Sequence, residues 1–387
     1  MMIPERPALE KRVLAALDGS ASGAPRIPVL IGGCGSGKTS LLLRLRDLIG
    51  RSHAQYVDVE RIATTPERFF QSLREASPFP AHAYAQNLPD GGAREAFDAA
   101  LAFLDTSRPG GNAPATFLLD EFLELRTFES FPGLRTVLKD LIGALSSSGN
   151  RFVLTSRFVA RAHRLLRDAP AQFEIIHVAP LSPAEIRSTI ASRNAREDDD
   201  PRRDDLARMV HALSGGRPAY ARMIGDAATA MSTRGAADPV GALASLLAPG
   251  GALAAACRFS YELRLHRARG YGALKAILDV LAQEEPLTLT EIALRLRRTP
   301  GSTKDYLSWL EDVDLIVSRR KRYSFADPML RLWVRLHCRP SIPTEEELAH
   351  EIHAYVLEHL PADEPALAMA GTPEPAGEKS WGIIEID

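Results

Sequence analysis

Short apolar runs alternate with helix-length segments through the first half of the chain. Each run contains β-branched or aromatic residues, as buried strands do, and the runs are residues 27–31, 55–59, 116–119, 152–155 and 173–178. The segments between them carry apolar residues at helical spacing and include residues 39–48, 66–75, 94–104 and 134–145. Strands that alternate with helices predict a parallel sheet covered on both faces, so we expect an α/β fold here.

The pattern becomes all-helical from Ser182 to about residue 247. Pro183, Pro218 and Pro239 lie near the predicted helix starts, where proline is tolerated. A turn, Gly215-Gly216-Arg217-Pro218, stands within this region, and its spacing alone predicts a helix C-cap followed by a proline at the start of the next helix.

Beyond Gly270 the pattern changes again. Three apolar helical segments, residues 274–281, 290–296 and 302–310, precede two strand-like runs at 315–318 and 323–325. Three helices followed by a β-ribbon predict a winged helix-turn-helix. Thr290 and Ser302 are the expected N-caps of its second and third helices.

Composition and charge narrow the class of protein. With 387 residues, 45% hydrophobic and 25% charged, the chain is typical of globular proteins of about two or three domains. The net charge of -2 favours no class of partner. Cys34, Cys257 and Cys338 have no metal-ligand spacing, which excludes a disulfide framework and a zinc module and suits a reducing cytosol.

Two segments indicate whether the protein is secreted or inserted in a membrane. Glu5, Arg6 and Glu10 stand where a secretory leader needs an apolar run. The uncharged stretch 239–257 is interrupted by Pro249, which predicts two short helices joined by a turn rather than a membrane span. We therefore expect a cytoplasmic protein with no membrane association.

The strongest chemical signal follows the first predicted strand. Gly32-Gly33-Cys34-Gly35-Ser36-Gly37-Lys38-Thr39 matches G-x-x-x-x-G-K-[ST], the phosphate-binding P-loop, and Ser40 continues into a predicted helix. Glycines let the backbone N–H groups converge on phosphate oxygens, and the helix N-terminus adds its positive dipole. We expect Lys38 to reach the β- and γ-phosphates and the Thr39 hydroxyl to bind Mg²⁺.

Two later strands end in charged residues. The run 117–119 ends in Asp120 and Glu121, which predicts a carboxylate near the Mg²⁺ and a general base for water. The run 152–155 is followed by Ser156 and Arg157, and an arginine at this sheet edge can contact the γ-phosphate. The alternative for Arg157 is a surface arginine that begins the next helix.

Taken in order, these features resemble the STAND class of signal-transduction ATPases, especially the archaeal-type ATPases, and more broadly the AAA+ proteins of the origin-recognition kind. The matching positions are residues 32–39, Asp120, Glu121, Arg157 and Gly216-Arg217-Pro218. The resemblance implies ATP as the nucleotide, Arg157 on the γ-phosphate and Pro218 beside the adenine. Residues 323–333 also resemble the segment that closes the winged helix of archaeal-type ATPases. No clear Gly-Arg-Glu box precedes the P-loop, and no repeat array follows the winged helix.

The resemblance and the composition together divide the chain into four parts. We expect a P-loop NTPase domain with a parallel sheet at 1–181, a helical lid at 182–250, a winged helix domain at 251–340 and a disordered acidic tail at 341–387. Basic residues around the third helix and in the turn 319–322 suit nucleic-acid phosphates, yet a purely intramolecular or protein-facing role for the winged helix stays open. The tail ends in an apolar peptide, residues 381–387, that could add a strand to a protein partner, or the tail could mask the winged helix.

Two functions compete for this arrangement. The first is an ATP-binding, ATP-hydrolysing regulatory switch that couples ATP-Mg²⁺ to movement of the winged helix, with slow turnover stimulated by a partner. The alternative is a DNA-binding, AAA+-like loader or motor. Either could form a homo-oligomer in the ATP state. A scaffold that binds nucleotide without turnover is disfavoured because Glu121 is present.

Overall fold

Five parallel strands form the central sheet. The computed structural model describes residues 6–20, 23–80, 92–110, 113–191, 201–231, 237–266 and 270–360. The strands are β1 (Ile27–Ile31), β2 (Ala54–Asp58), β3 (Thr116–Asp120), β4 (Arg151–Ser156) and β5 (Phe173–His177), in the spatial order β2-β3-β4-β1-β5. Every residue of β1 and β3 is buried, because helices cover both faces. The prediction of a parallel α/β sheet is confirmed, with strand ends within about one residue of those expected.

The helices of the sheet domain lie on opposite faces because strand side chains alternate in direction. Leu30, Leu118 and Val153 pack on one face with α1 (Pro7–Asp18) and α2 (Lys38–Ile49). The other face packs against the remaining segments, which are α3 (Val59–Ile62), α4 (Pro66–Glu75), α5 (Ala93–Thr106), the 3₁₀ helix Phe122–Ser130, α6 (Val137–Ser147) and α7 (Val159–Leu166). Two cores therefore sandwich the sheet, and they fix the strand ends that carry the candidate site.

A run of helices follows β5, as expected. They are α8 (Pro183–Ala191), α9 (Pro201–Ser214), α10 (Pro218–Ala230), α11 (Pro239–Leu247) and α12 (Ala252–His266). In the described part of the chain no single helix has both the length and the apolar character of a membrane span, and only α11 and α12 counted together, bent by 53°, would meet that test.

A compact arrangement of three helices and a small antiparallel sheet comes next, which we call the helix–hairpin unit (residues 271–325). It contains α13 (Tyr271–Gln283), β6 (Leu287–Thr288), α14 (Leu289–Arg295), α15 (Pro300–Asp312), β7 (Ile316–Arg319) and β8 (Arg322–Phe325). The three helices followed by β7 and β8 have the order that the sequence predicts, and β6, which the sequence analysis does not include, adds a third strand.

The predicted N-caps of α14 and α15 are wrong. Thr288 caps α14 in a capping box with Glu291, and Thr299 caps α15 by accepting the backbone N–H of Ser302. Both helices begin earlier than expected. Pro300 takes the first helical position of α15, and Glu291 completes the box only if the cap stands three residues before it.

The prediction of a disordered tail from residue 341 is wrong for its first part. After α16 (Pro328–His337), residues Glu345–His359 form α17, which buries Ile352 and Tyr355. Glu351 pairs with Arg335 and with Arg339, both at 2.6 Å. The acidic composition predicts disorder, whereas one of the acidic residues pairs with arginines of the preceding segment and apolar residues of α17 are buried. Residues 361–387, including the predicted partner-binding end, lie outside the described residues.

Candidate functional site

A cleft of about 310 Å³ opens at the carboxyl ends of β1, β3 and β4, beneath the helices that follow the sheet. Residues 34–40 form its floor, and Glu121 and Arg157 stand at one side. Its roof comes from α8, α10 and the residues before them, namely Leu181, Ile186, Thr189, Ile190, Pro218, Ala219, Ala221, Arg222 and Asp226. The cleft therefore has a polar end at the sheet and a largely apolar end at the helices.

The loop between β1 and α2 has the conformation that its glycines allow. Gly35 and Gly37 have φ of 75° and 90°, in the left-handed region. A Cβ at Gly35 would also lie 2.9 Å from Cβ of Ala219, so a side chain there would collide with the roof. Gly37 is the N-cap of α2 and supplies no side chain to its first amides. Those amides carry the positive end of the helix dipole at the cleft.

Lys38 is buried at the centre of the polar end. Its Nζ donates to the carbonyl oxygens of Gly32 at 2.6 Å and Gly33 at 3.3 Å. The same Nζ lies 3.4 Å from Oε1 of Glu121. The ammonium is thus held at the mouth of the glycine loop, within reach of an anion lying on that loop.

Asp120, the last residue of β3, is fixed by three hydroxyl groups. Thr39 Oγ1 donates to its Oδ2 at 2.6 Å, and Tyr56 OH donates to the same oxygen at 2.9 Å. Thr155 Oγ1 donates to the other oxygen. Burial, together with the Asp120 charge, raises the pKa of Tyr56, so that side chain stays a donor. The carboxylate therefore has one orientation, with Thr39 beside it.

Glu121 follows in a left-handed conformation, with φ of 56°. This is uncommon for a residue other than glycine, and such backbone is concentrated at functional sites. Its N–H donates to Thr155 Oγ1 at 2.9 Å, and its Oε2 accepts the N–H of Arg157 at 2.8 Å. Burial alone would raise the pKa of Glu121, but the charges of Lys38 and Arg157 outweigh it and lower the pKa. Glu121 is therefore a buried, ionised carboxylate.

Arg157 lies between two carboxylates. Its Nε is 3.2 Å from Glu121 Oε2, and its Nη2 pairs with Glu60. Burial opposes the charge, but Glu121 and other acidic neighbours raise the pKa of Arg157, so it remains a cation. The alternative prediction, a surface arginine, does not fit this position, because the Arg157 side chain is only 9% exposed.

The structure brings the predicted residues together at one place. Residues 34–40, Glu121, Arg157 and Pro218 line the cleft. Asp120 accepts a hydrogen bond from Thr39, which lines the cleft. The carbonyl oxygens of Gly32 and Gly33 accept hydrogen bonds from Lys38. Pro218 lies close to the loop, since a Cβ placed on Gly37 would be 3.4 Å from its ring, and the next residue, Ala219, donates its N–H to the carbonyl oxygen of Gly35 at 3.2 Å.

Sequence reasoning assigns no role to the side chain of Arg217, the middle residue of the Gly216-Arg217-Pro218 turn. The local prediction of a helix end and a proline start describes the backbone, since α9 ends at Ser214 and α10 begins at Pro218. The side chain of Arg217 donates to the carbonyl oxygens of Cys34 at 3.2 Å and Ala326 at 3.1 Å. No spacing signal identifies a contact of this kind, because its partners are 183 and 109 residues away.

A second missed residue is Arg264 of α12, which is fully enclosed. It lies against the thiol of Cys34, and its Nη1 donates to the carbonyl oxygen of Asp314 at 2.8 Å. Burial opposes ionisation of Cys34, but Arg264, Arg157 and Lys38 lower the pKa of that thiol. Three cations therefore surround the loop, which makes the polar end of the cleft suited to an anion.

The donor set suits Mg²⁺ of the P-loop type. Thr39 and Asp120 offer a hydroxyl and a carboxylate oxygen that lie 2.6 Å apart at the polar end. The described residues contain no group of three or more His, Cys, Asp or Glu arranged for a metal ion. A hydroxyl and a carboxylate oxygen are ligands that suit Mg²⁺, an ion that usually takes its remaining ligands from water and substrate phosphate.

Comparison with known proteins supports the fold. No protein-family model matches the chain, and no curated protein does. A Walker-type ATPase of Pyrococcus abyssi is similar in structure over 86% of this chain and 96% of its own, with a TM-score of 0.62 and 20% identity. Two further structures are less similar. A STAND protein with a tetratricopeptide repeat sensor from Pyrococcus horikoshii has a TM-score of 0.35 and 16% identity, and the match covers 90% of this chain and 45% of that protein. The Aeropyrum pernix ORC1 protein, solved in complex with DNA, has a TM-score of 0.44 and 18% identity, and the match covers 93% of this chain and 95% of that protein. At 20% identity the first likeness shows a shared fold.

Proposed function

We propose that this chain, which has the fold of a Walker-type P-loop ATPase, binds ATP with Mg²⁺ in the cleft and hydrolyses it slowly as a regulatory switch. The observation that carries the proposal is the convergence of Lys38, Glu121 and Arg157 on one cleft, with Lys38 3.4 Å and Arg157 3.2 Å from the same carboxylate. A cation for phosphate, an ionised base and a second cation are the groups that phosphoryl transfer to water requires.

The glycine loop would hold the phosphates. The amides at the start of α2 point their dipole at the β-phosphate, and Lys38 Nζ exchanges its carbonyl partners for β- and γ-phosphate oxygens. Thr39 and Asp120 would hold the Mg²⁺, with Asp120 oriented by Tyr56 and Thr155. When bound, Mg²⁺ supplies positive charge that neutralises the phosphate oxygens.

Glu121 would act as the general base. It accepts a proton from water as the water oxygen bonds to the γ-phosphorus and the bond to the β,γ-bridging oxygen breaks. Without phosphate, Lys38 and Arg157 lower the pKa of Glu121 and so weaken it as a base. Phosphate oxygens compete for both cations, so γ-phosphate binding restores the basicity of Glu121 while Arg157 stabilises the developing charge.

The apolar end of the cleft would take the base of the nucleotide. Leu181, Ile186, Ile190 and Pro218 offer aliphatic surface, and Arg222 and Asp226 stand on the same helix as Pro218. A purine ring buried against such surface gains the free energy of removing its faces from water. The preference for ATP rests on the resemblance to archaeal-type ATPases.

The switch would act on the winged helix, the name that we propose for the helix–hairpin unit. We divide the chain into a P-loop domain (1–181), a lid (182–250) and a winged helix domain (251–340), with α17 added to the last. Arg217 links the loop at Cys34 to the segment that leaves the unit at Ala326. A phosphate-driven change in the loop therefore has a direct polar connection to that segment.

The test is phosphate release from ATP by the wild type, by Glu121→Gln and by Glu129→Gln as a matched control. Glu129 is a surface residue on the 3₁₀ helix after β3. We expect Glu121→Gln to lower kcat by about 10²-fold or more while nucleotide affinity is kept, because the amide has nearly the same shape as the carboxylate but cannot take a proton from water. Wild-type-like turnover of Glu121→Gln would reject the assigned base, and no turnover by the wild type would reject the ATPase.

One observation favours the second candidate, a DNA-binding loader or motor. Arg297, Lys304, Arg319, Arg320 and Lys321 are all exposed on the unit, and none has an ion-pair partner among the described residues. Clustered unpaired cations are what a DNA backbone attracts. If DNA binds here, anisotropy of a labelled duplex will show affinity that falls steeply from about 50 to 200 mM salt and that Arg320→Glu with Lys321→Glu abolishes. The same DNA would stimulate turnover in a motor and leave it unchanged in a switch.

A further inference from the structure

Asp314 caps the N-terminus of α7, a helix that is distant from it in sequence. It stands in the turn between α15 and β7, and its Oδ2 accepts the N–H of Val159 at 2.6 Å. Its Oδ1 accepts the N–H of Ala160 at 3.4 Å, and both amides belong to the first turn of α7. Phe158, the N-cap of α7, provides no side-chain acceptor. The helix that follows β4 therefore takes its cap from a residue 155 positions away.

The capped turn is the one that carries Arg157. Strand β4 ends at Ser156 and α7 begins at Val159, so only Arg157 and Phe158 connect them. The N–H of Arg157 and its Nε both contact Oε2 of Glu121, at 2.8 Å and 3.2 Å. The first turn of α7 is therefore separated from both contacts with Glu121 by no more than two residues.

Asp314 is itself held on the opposite side. Its carbonyl oxygen accepts from buried Arg264, which also lies against Cys34 of the glycine loop. Its neighbour Asp312 pairs with Arg164 of α7. The turn that carries the carboxylate is thus held by two further contacts, one to Arg264 and one to α7.

The backbone at Asp314 suggests why the side chain matters. Its φ is 52°, a conformation that glycine adopts without strain and that aspartate and asparagine tolerate. The N–H of Leu315 donates to the carbonyl of Leu310 at 3.0 Å, which is the helix-ending hydrogen bond that usually accompanies glycine here. An aspartate adds to this turn only its carboxylate, and that carboxylate lies on α7.

We propose that Asp314 is a positioning residue for ATP hydrolysis, which orients the turn of Arg157 against Glu121 by capping α7 from the helix–hairpin unit. The inference rests on the proposed function of the cleft. It adds to that function a physical link through which docking of the unit controls the arginine that faces the γ-phosphate.

The variants are chosen to change the carboxylate and nothing else. Asp314→Gly removes it and suits the left-handed backbone, while Asp314→Asn keeps an acceptor oxygen and tolerates the same backbone. Asp312→Asn is the matched control, because it weakens the pair with Arg164 at the same interface without touching the cap. All are measured in the full chain, for kcat and KM with ATP and for the Kd of a fluorescent ATP analogue.

We expect Asp314→Gly to lower kcat by about tenfold, since small misplacements of a catalytic group have effects of this size, with nucleotide Kd little changed. Asp314→Asn should recover most of kcat, and Asp312→Asn should resemble the wild type. In an Arg157→Ala background Asp314→Gly should have no further effect on kcat, because the residue that it positions is gone. An equal loss in both backgrounds would assign Asp314 a general structural role and overturn the proposal.

Hydrogen exchange distinguishes failure of the positioning role of Asp314 from failure of the proposed ATPase function. The amide of Val159 should exchange faster in Asp314→Gly than in the wild type or Asp312→Asn, whatever the turnover. Fast exchange with kcat unchanged or increased would overturn the positioning role while leaving the ATPase intact. A wild type that binds nucleotide without hydrolysing it would reject the proposed function and the role in hydrolysis, and exchange would still report the cap.

Discussion

Arg217 Nη1 lies 3.2 Å from Oδ2 of Asp327, at the point where α10 meets the segment that leaves the helix–hairpin unit. Asp327 is 3% exposed, accepts from Tyr220 OH at 2.8 Å and caps α16 through the N–H of Met329 at 3.1 Å. The arginine also binds the carbonyl oxygen of Cys34 in the glycine loop. This pair therefore joins the phosphate-binding loop, the lid and the C-terminal segment.

The first prediction concerns that pair. Arg217→Met should lower the free energy of unfolding by about 2–4 kcal/mol, because it leaves a buried carboxylate without its counter-ion. Arg217→Lys should recover part of this, since a lysine keeps the charge but not the planar fork that reaches two carbonyls. Urea unfolding measures both. Arg208→Met, which breaks an exposed pair with Asp205, is the control and should change stability by less than about 0.5 kcal/mol. Equal losses in Arg217→Met and Arg208→Met would contradict the bridging role.

The second prediction concerns the Mg²⁺ ligands. Thr39→Ala should raise by about tenfold the Mg²⁺ concentration needed for half-maximal ATP hydrolysis, because the hydroxyl beside Asp120 is lost. Thr39→Ser keeps the hydroxyl and should stay near the wild type. Hydrolysis is followed across a Mg²⁺ titration at saturating ATP. If Thr39→Ala and Thr39→Ser have the same Mg²⁺ midpoint, the assignment of Thr39 is wrong.

The third prediction concerns the three cysteines. Arg264, Arg157 and Lys38 lower the pKa of Cys34 against the effect of burial, whereas burial raises the pKa of Cys257 to about 12 and of Cys338 to about 11. Because the thiolate is the nucleophile, iodoacetamide should modify Cys34 first at neutral pH. ATP with Mg²⁺ should slow that reaction, since Cys34 lines the cleft.

Peptide mass spectrometry over time checks this order, and Cys34→Ser provides the background rate of the other two thiols. Modification of Cys257 or Cys338 before Cys34 would contradict the electrostatic argument. A Cys34 rate that ATP does not change would place the nucleotide elsewhere.

The fourth prediction concerns pH. Burial raises the pKa of Asp314 to about 6. The hydrogen bonds from the N–H groups of Ala160 and Val159 and the charges of Arg264 and Arg161 lower this pKa, but burial has the larger effect. The folded state therefore binds this proton more tightly than the unfolded state, whose reference pKa is 3.8. Stability from the protonated form is complete below about pH 4 and is lost as the pH rises through 6.

Asp314→Asn has no carboxyl group to titrate at this position. The free energy of unfolding of the variant minus that of the wild type should therefore increase as the pH rises from about 4 to 7, by up to about 3 kcal/mol. The lowered pKa of Glu121 acts in the opposite direction in both proteins, with stability lost as the pH falls, so it cancels in the comparison. Urea unfolding of both proteins at several pH values measures the difference. A constant difference across this range would show that Asp314 does not titrate in the folded state.

Much of the fold could be predicted because local patterns encode it. Helix α4 has the predicted bounds, Pro66–Glu75, and its apolar residues at helical spacing are those that it buries. The loop 32–39 could be assigned from spacing because phosphate binding imposes a local backbone shape. Asp120, Glu121 and Arg157 follow apolar runs of parallel strands, and parallel strands bring such ends to one edge.

The errors have equally local causes. The N-caps were misplaced because several hydroxyl residues stand near each helix start, and only the helix register selects between Thr288 and Thr290. The acidic composition of the tail predicts disorder, but Glu351 pairs with Arg335 and Arg339 where α17 packs against α16. Composition counts charges and does not show which of them meet.

By itself the sequence determined the strands, the glycine loop and the strand-end residues, because hydrophobic period and motif spacing act within a few neighbouring residues. Only the tertiary structure decided that Arg217 reaches Asp327, that Arg264 reaches Cys34 and that Asp314 caps α7. A hydrogen bond requires two groups within about 3 Å, and which distant segments come that close depends on how whole helices and strands pack. Periodicity specifies that a side chain is buried, and packing specifies its partner.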